Sequence, residues 1–160
     1  MATIESVRVT KTKQLENVYT RVYLSAQQSD LTDDTWIKIN LNTVFKDLGL
    51  NFDTATSKFI VPVTGLYQII ASIEFSSVVT AKRYQTAIYN NGASIREVSS
   101  HASLATNLTV ECNELVYLQE LDEVELYGQA EAGVSTVDVV SGSKATLLII
   151  RLVTKEGTRQ

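Results

Sequence analysis

Apolar and polar residues alternate with a period of two along most of this chain, and the clearest instance runs from Leu66 to Ser76. Tyr67, Ile69, Ala71, Ile73 and Phe75 fall on one face of an extended segment, and Leu66, Gln68, Ile70, Ser72 and Glu74 fall on the other. The first face is wholly apolar. The second starts apolar and ends polar, which predicts a strand covered on both sides at one end. Just before it, Phe59 to Val61 is a short run of β-formers. Pro62, the single proline, cannot donate to a ladder and marks a strand end, and Thr64-Gly65 makes the turn.

The same alternation predicts strands over Val18–Ser25, with Val18, Thr20, Val22 and Leu24 on one face, and over Trp36–Leu41, Tyr84–Tyr89, Ile95–Ser99, Leu115–Gln119, Val124–Gly128, Ser135–Val140 and Lys144–Val153. Asn90-Asn91-Gly92 supplies residues that tolerate positive φ and predicts a tight hairpin. Gln27–Asp34 and Ala130–Ser135 read as loops, and Glu120–Glu123 as an acidic turn. Val44–Leu50 alone has helical flavour, in a stretch too short to stand as a helix without tertiary support. About ten short strands with regular turn signals indicate an all-β sandwich or barrel.

Composition narrows the function. A chain of 160 residues reads as one domain with a core of its own. Charged residues are 20% and apolar ones 44%, so the chain is globular. The net charge of −4 and the lack of a basic stripe argue against nucleic acid. No run approaches the length of a membrane span. Met1 to Ser6 carries neither a basic nor an apolar leader segment, which predicts synthesis and folding in a cytoplasm, and in that setting Asn107-Leu-Thr109 is a chance match to the glycosylation pattern.

Candidate chemistry is sparse. Cys112 is the single cysteine and lies in the apolar run Leu108–Cys112, where it reads as a small buried hydrophobe. His101, the single histidine, sits in the polar stretch Ser99–Ser103 without a nucleophile elbow or a positioned acid, so catalysis is disfavoured. Asp33-Asp34 and Asp122-Glu123 offer oxygens that calcium accepts, but read first as solvated turn acids. Tyr19 and Tyr23 lie opposite the aliphatic face of their strand, where a ring with a polar tip suits a subunit interface, a sugar surface or ordinary packing.

The order of these pieces resembles the globular head of complement component 1q and the related tumour necrosis factor jelly rolls. The resemblance is carried by Trp36–Asn40, Phe45, Phe52-Asp53, Lys58-Phe59, Val61-Pro-Val-Thr-Gly-Leu-Tyr67, Asn90-Asn-Gly92, Val116-Tyr-Leu118, Asp122-Glu-Val124 and Leu126, and it spans roughly residues 18 to 153. It implies a ten-stranded antiparallel jelly roll in residues 18–153, flanked by an arm (1–17) and a polar tail (154–160). Two departures stand out. Leu121 occupies the place of the family's glycine, and the strand after Ser141-Gly142 lacks the family's aromatics. There is no collagen-like Gly-X-Y stalk.

The resemblance also implies a homotrimer, three-fold and bell-shaped, with head-to-tail contacts. The sequence agrees, because Leu66–Ser76 and Leu147–Val153 carry apolar residues on both faces while a sandwich core covers one. Tyr19, Tyr23, Tyr67, Ile70, Leu148 and Ile150 are the candidate interface residues. The function expected is a non-enzymatic structural or binding module without a cofactor. A bacteriophage virion protein, decorating a capsid or tipping a fibre, is favoured, with the arm attaching to capsid or tail proteins. The alternative is a cell-surface or extracellular adhesion head that binds a glycan or protein receptor.

Overall fold

The computed structural model describes residues 17–31, 34–131, 133 and 137–157. The expected arm lies outside these residues except for Asn17, as does Asp33. Thirteen strand segments and no helix occur among them: β1 (Tyr19–Tyr23), β2 (Gln28–Leu31), β3 (Ile37–Lys38), β4 (Thr43–Leu48), β5 (Phe52–Asp53), β6 (Lys58–Ile60), β7 (Gly65–Ser76), β8 (Arg83–Asn90), β9 (Ala93–His101), β10 (Leu108–Leu118), β11 (Glu123–Ala130), β12 (Val137–Val139) and β13 (Leu147–Lys155). They form two antiparallel sheets of seven and six strands. The excess over ten comes from β2, β4 and β5, which the alternation did not mark as strands.

β7 is the axis of the first sheet. β10 pairs along one edge over its whole length, from Leu108 opposite Phe75 to Leu118 opposite Gly65. The other edge takes β13 first and β12 at its far end, and β1 and β4 follow outward from β13. In the second sheet β11 pairs β8 on one edge, with β6 and β3 in succession on the other. β8 and β9 form the hairpin expected at Asn90-Asn91-Gly92, with Asn91 and Gly92 both at positive φ.

The core lies between the sheets. Tyr67, Ile69, Ala71, Ile73 and Phe75, the face expected to be inward, are fully buried, and Phe59, Tyr84, Ile88, Val124 and Leu126 meet them from the second sheet. Phe59 and Tyr67 touch edge to face at 6.3 Å, and Phe75 lies 5.4 Å from Tyr84. The polar atoms that enter this core are satisfied. Tyr67 donates its hydroxyl to the Val63 carbonyl at 2.7 Å, and Thr86 Oγ1 donates to the Val110 carbonyl at 3.0 Å.

Several segments differ from the sequence reading. Residues 43–48 are strand, not helix, and Gly49 and Leu50 turn the chain after them at positive φ. Gln28–Leu31, expected as loop, is a strand against β12, held from its side by Gln28 Nε2 donating to the Lys38 carbonyl at 2.9 Å. His101 ends β9 instead of lying in a loop, and the run 108–112 joins 115–118 in one strand. β13 continues to Lys155, so Thr154 and Lys155 pair with Leu66 and Gly65.

Candidate subunit interface

Because side chains alternate, burying 67, 69, 71, 73 and 75 sends Leu66, Gln68, Ile70 and Ser72 to the outer face of the first sheet. The register carries that face across five strands. One row reads Leu115, Gln68, Arg151, Tyr19 and Leu48. The next reads Asn113, Ile70, Ile149, Arg21 and Lys46. The third reads Glu111, Ser72, Leu147, Tyr23 and Thr43.

Apolar area stays open on this face and its rim: Phe45 is 62% exposed, Leu115 55%, Val153 52% and Tyr117 50%. Ile70 and Ile149 sit side by side at its centre, half-buried. Polar groups frame them. The Arg21 guanidinium lies over the Phe45 ring at 4.7 Å and donates through Nη2 to the Ser143 carbonyl at 2.8 Å, while its Nε is buried without a partner among the described residues. Arg151 Nε donates to Gln68 Oε1 at 2.7 Å. Thr20 and the Phe52 backbone N–H both donate to Asp47, at 2.7 and 2.9 Å, which pins β4 in place.

Of the residues proposed from sequence, Tyr19, Tyr23 and Ile70 stand together on this outer face. Tyr67, Leu148 and Ile150 do not. They point into the subunit's own core, exposed by 0%, 1% and 0%, and burial pushes the Tyr67 hydroxyl up to about 12. The period of two puts Leu147 and Ile149 outward wherever Leu148 and Ile150 are inward, so the odd-numbered residues of β13 replace them in the candidate interface. Arg21, Phe45, Leu115 and Tyr117 also join the face. Arg151, a charge within the apolar run 147–152, was the one sequence signal for which phase of β13 faces outward.

The other candidate groups have structural occupations. Cys112 is buried opposite Ala71, and desolvation pushes its thiol up to about 11. His101 is exposed on the second sheet. Asp122 accepts from the Gln119 backbone N–H at 2.9 Å and from Asn91 Nδ2 at 2.7 Å, tying the hairpin to the late turn. Glu123 pairs with Lys58 at 2.6 Å. Among the described residues no three His, Cys, Asp or Glu side chains cluster as metal ligands, and no helix is long and apolar enough to cross a membrane.

Two antiparallel sheets with this strand connectivity define a jelly-roll sandwich of the complement 1q and tumour necrosis factor type. Solved structures that share it include the globular domain of zebrafish complement 1qA (14% identity, 87% of this chain and 99% of that one, TM-score 0.62), Eiger TNF from S. frugiperda (9%, 91% and 98%, 0.64), and murine APRIL (11%, 86% and 99%, 0.64). No curated protein sequence matches. The C1q domain model matches residues 21–143, and the chain belongs to the C1q domain family.

Proposed function

We propose that the chain is a non-enzymatic structural and binding module that works as a homotrimer, its subunits meeting on the outer face of the first sheet. The observation that carries this is the apolar area left open there, centred on Ile70 and Ile149 and flanked by exposed Leu115, Tyr117 and Phe45. Isolated domains seldom leave such an area contiguous and uncovered. The charges suit a ring. Arg151, Arg21 and Lys46 gather on the half formed by β13, β1 and β4, and Glu111 stands at the β10 edge. A head-to-tail contact therefore brings an acidic edge to a basic one, and three copies close it. Sedimentation at micromolar concentration tests the reading. A species of three times 17.7 kDa is expected, and a single species near 17.7 kDa overturns it.

The proposal that it is not an enzyme draws support from the occupied polar groups and the protonated, buried thiol. As its setting we propose the surface of a bacteriophage particle, where an inert trimeric head serves as decoration or tip. Immunogold labelling of particles tests this, and label confined to cell surfaces would favour the adhesion setting instead.

A further inference from the structure

The turn between β8 and β9 holds the one Asn-Gly step in the chain. Asn91 and Gly92 are both exposed, at φ 50 and 78. A Cβ added at Gly92 would meet no atom within 4 Å, so the peptide between the two residues lies open to water. Such a step is a chemical weak point, because glycine has no side chain to shield its nitrogen. The Gly92 nitrogen can attack Cγ of Asn91. It loses its proton and forms a cyclic imide as the Cγ–Nδ2 bond breaks and ammonia leaves. Water, the sole co-reactant, then opens the ring. Opening at Cγ restores the peptide and leaves aspartate. Opening at the backbone carbonyl leaves isoaspartate, whose chain runs on through the former side chain and is a methylene longer.

The structure opposes the first step. Attack needs Asn91 to rotate about its backbone and χ1 until Cγ faces the Gly92 nitrogen. Three polar groups of Asn91 are held instead by the late turn between β10 and β11. Its backbone N–H donates to the Glu123 carbonyl at 2.9 Å, and its Oδ1 accepts the Glu123 backbone N–H at 2.9 Å. Its Nδ2, the nitrogen that must leave, donates to Asp122 Oδ1 at 2.7 Å. Asp122 is fixed in turn. Its other oxygen accepts from the Gln119 backbone N–H at 2.9 Å and from Asn90 Nδ2 at 3.2 Å, and its carbonyl accepts the Val61 N–H at 2.9 Å.

We propose that Asn91 is a site of spontaneous deamidation held in check by this clamp, so that it converts only in molecules whose hairpin has come away from Asp122 and Glu123. Local opening of this kind needs far less free energy than global unfolding. The conversion does not reverse when the hairpin closes. An aspartate product loses the donor to Asp122 and sets two carboxylates in contact, where like charges disfavour one another. An isoaspartate product lengthens the turn that fixes the β8–β9 register. Each conversion therefore keeps the hairpin detached, and the site accumulates a covalent record of opening at this end of the sandwich. The inference depends neither on the trimer nor on the setting proposed above.

Peptide mapping by mass spectrometry tests it, on the full chain held at mildly alkaline pH, folded in buffer and unfolded in urea. Conversion at Asn91 should be roughly tenfold slower or more in the folded chain. Asp122→Ala removes the acceptor and should bring the folded rate most of the way to the unfolded one. Asn91→Asp, which mimics one product, should melt below the wild type. Should Asp122→Ala not fold, the wild type decides: in urea below the unfolding transition, conversion should rise in step with hydrogen exchange of the Asn91 backbone N–H. The proposal is overturned by equal rates in the folded and unfolded chains, by an Asp122→Ala rate equal to that of the wild type, by an unchanged melting temperature in Asn91→Asp, or by conversion that stays flat while exchange rises.

Discussion

At β13, one position decides whether a substitution strikes the subunit or its assembly. Ile150 is fully buried and Ile149 is its outward neighbour. Ile150→Asp puts an unpaired carboxylate in the core and should cost ~4 kcal/mol or more. The expected result is loss of soluble folded protein. Ile149→Asp should leave the thermal transition of the subunit in place and shift sedimentation to the monomer. Tyr67→Ala removes a ring at 0% exposure together with its bond to Val63, and should cost ~3–5 kcal/mol in chemical denaturation. Leu121 explains its own departure from the family pattern. It sits at φ 73 with 74% of its surface exposed, a conformation that suits glycine and strains leucine. Leu121→Gly should therefore raise the melting temperature slightly, by less than about 1 kcal/mol of stability once the added freedom of the unfolded chain is counted.

The strands show what alternation can and cannot convey. β7 was legible because eleven residues keep one phase, and the hairpin after β8 because Asn-Gly leaves few alternatives. β4 was not, since a bulge between Arg21 and Val22 shifts the pairing and leaves Phe45 without a partner on β1, and Val44 and Phe45 both keep much of their surface exposed. β2 is four mostly polar residues whose pairing is set by β12, more than a hundred positions away. The interface was half legible for a related reason. Apolar residues on both faces of β13 show that two surfaces are covered, but not which one is the subunit's own. Close approach matters at Gly65, where a Cβ would lie 2.5 Å from the Thr154 carbonyl oxygen and 2.8 Å from Leu152 Cδ1. Gly65→Ala should push β13 away from β7 and cost ~1–3 kcal/mol by thermal melting. The late turn carries a pH dependence. Burial works to raise the Asp122 carboxyl, but its bonds from Gln119, Asn91 and Asn90 outweigh that and leave it below its ordinary value of 3.8. A lowered folded pKa stabilises the protein above the unfolded value, and the contribution fades as pH falls through the folded one. Asp122→Asn should flatten the decline in stability below pH 3.8, as read in acid titrations of the melting point.

For the molecule as a whole, the two sheets offer unlike surfaces. The first presents an open apolar face, proposed above as the one that meets its own copies, and the second a mixed surface of rings, amides and charges. The pairing of β1 with β13, residues 19–23 against 147–151, has a bearing on synthesis as well. During translation the ribosome releases β1, β4 and β7 long before β13 exists. Until it emerges, the strands it will separate expose open edges and a core lacking one wall. Folding must wait until β13 has emerged, and a nascent chain stalled before Leu147 should depend on chaperones to stay soluble.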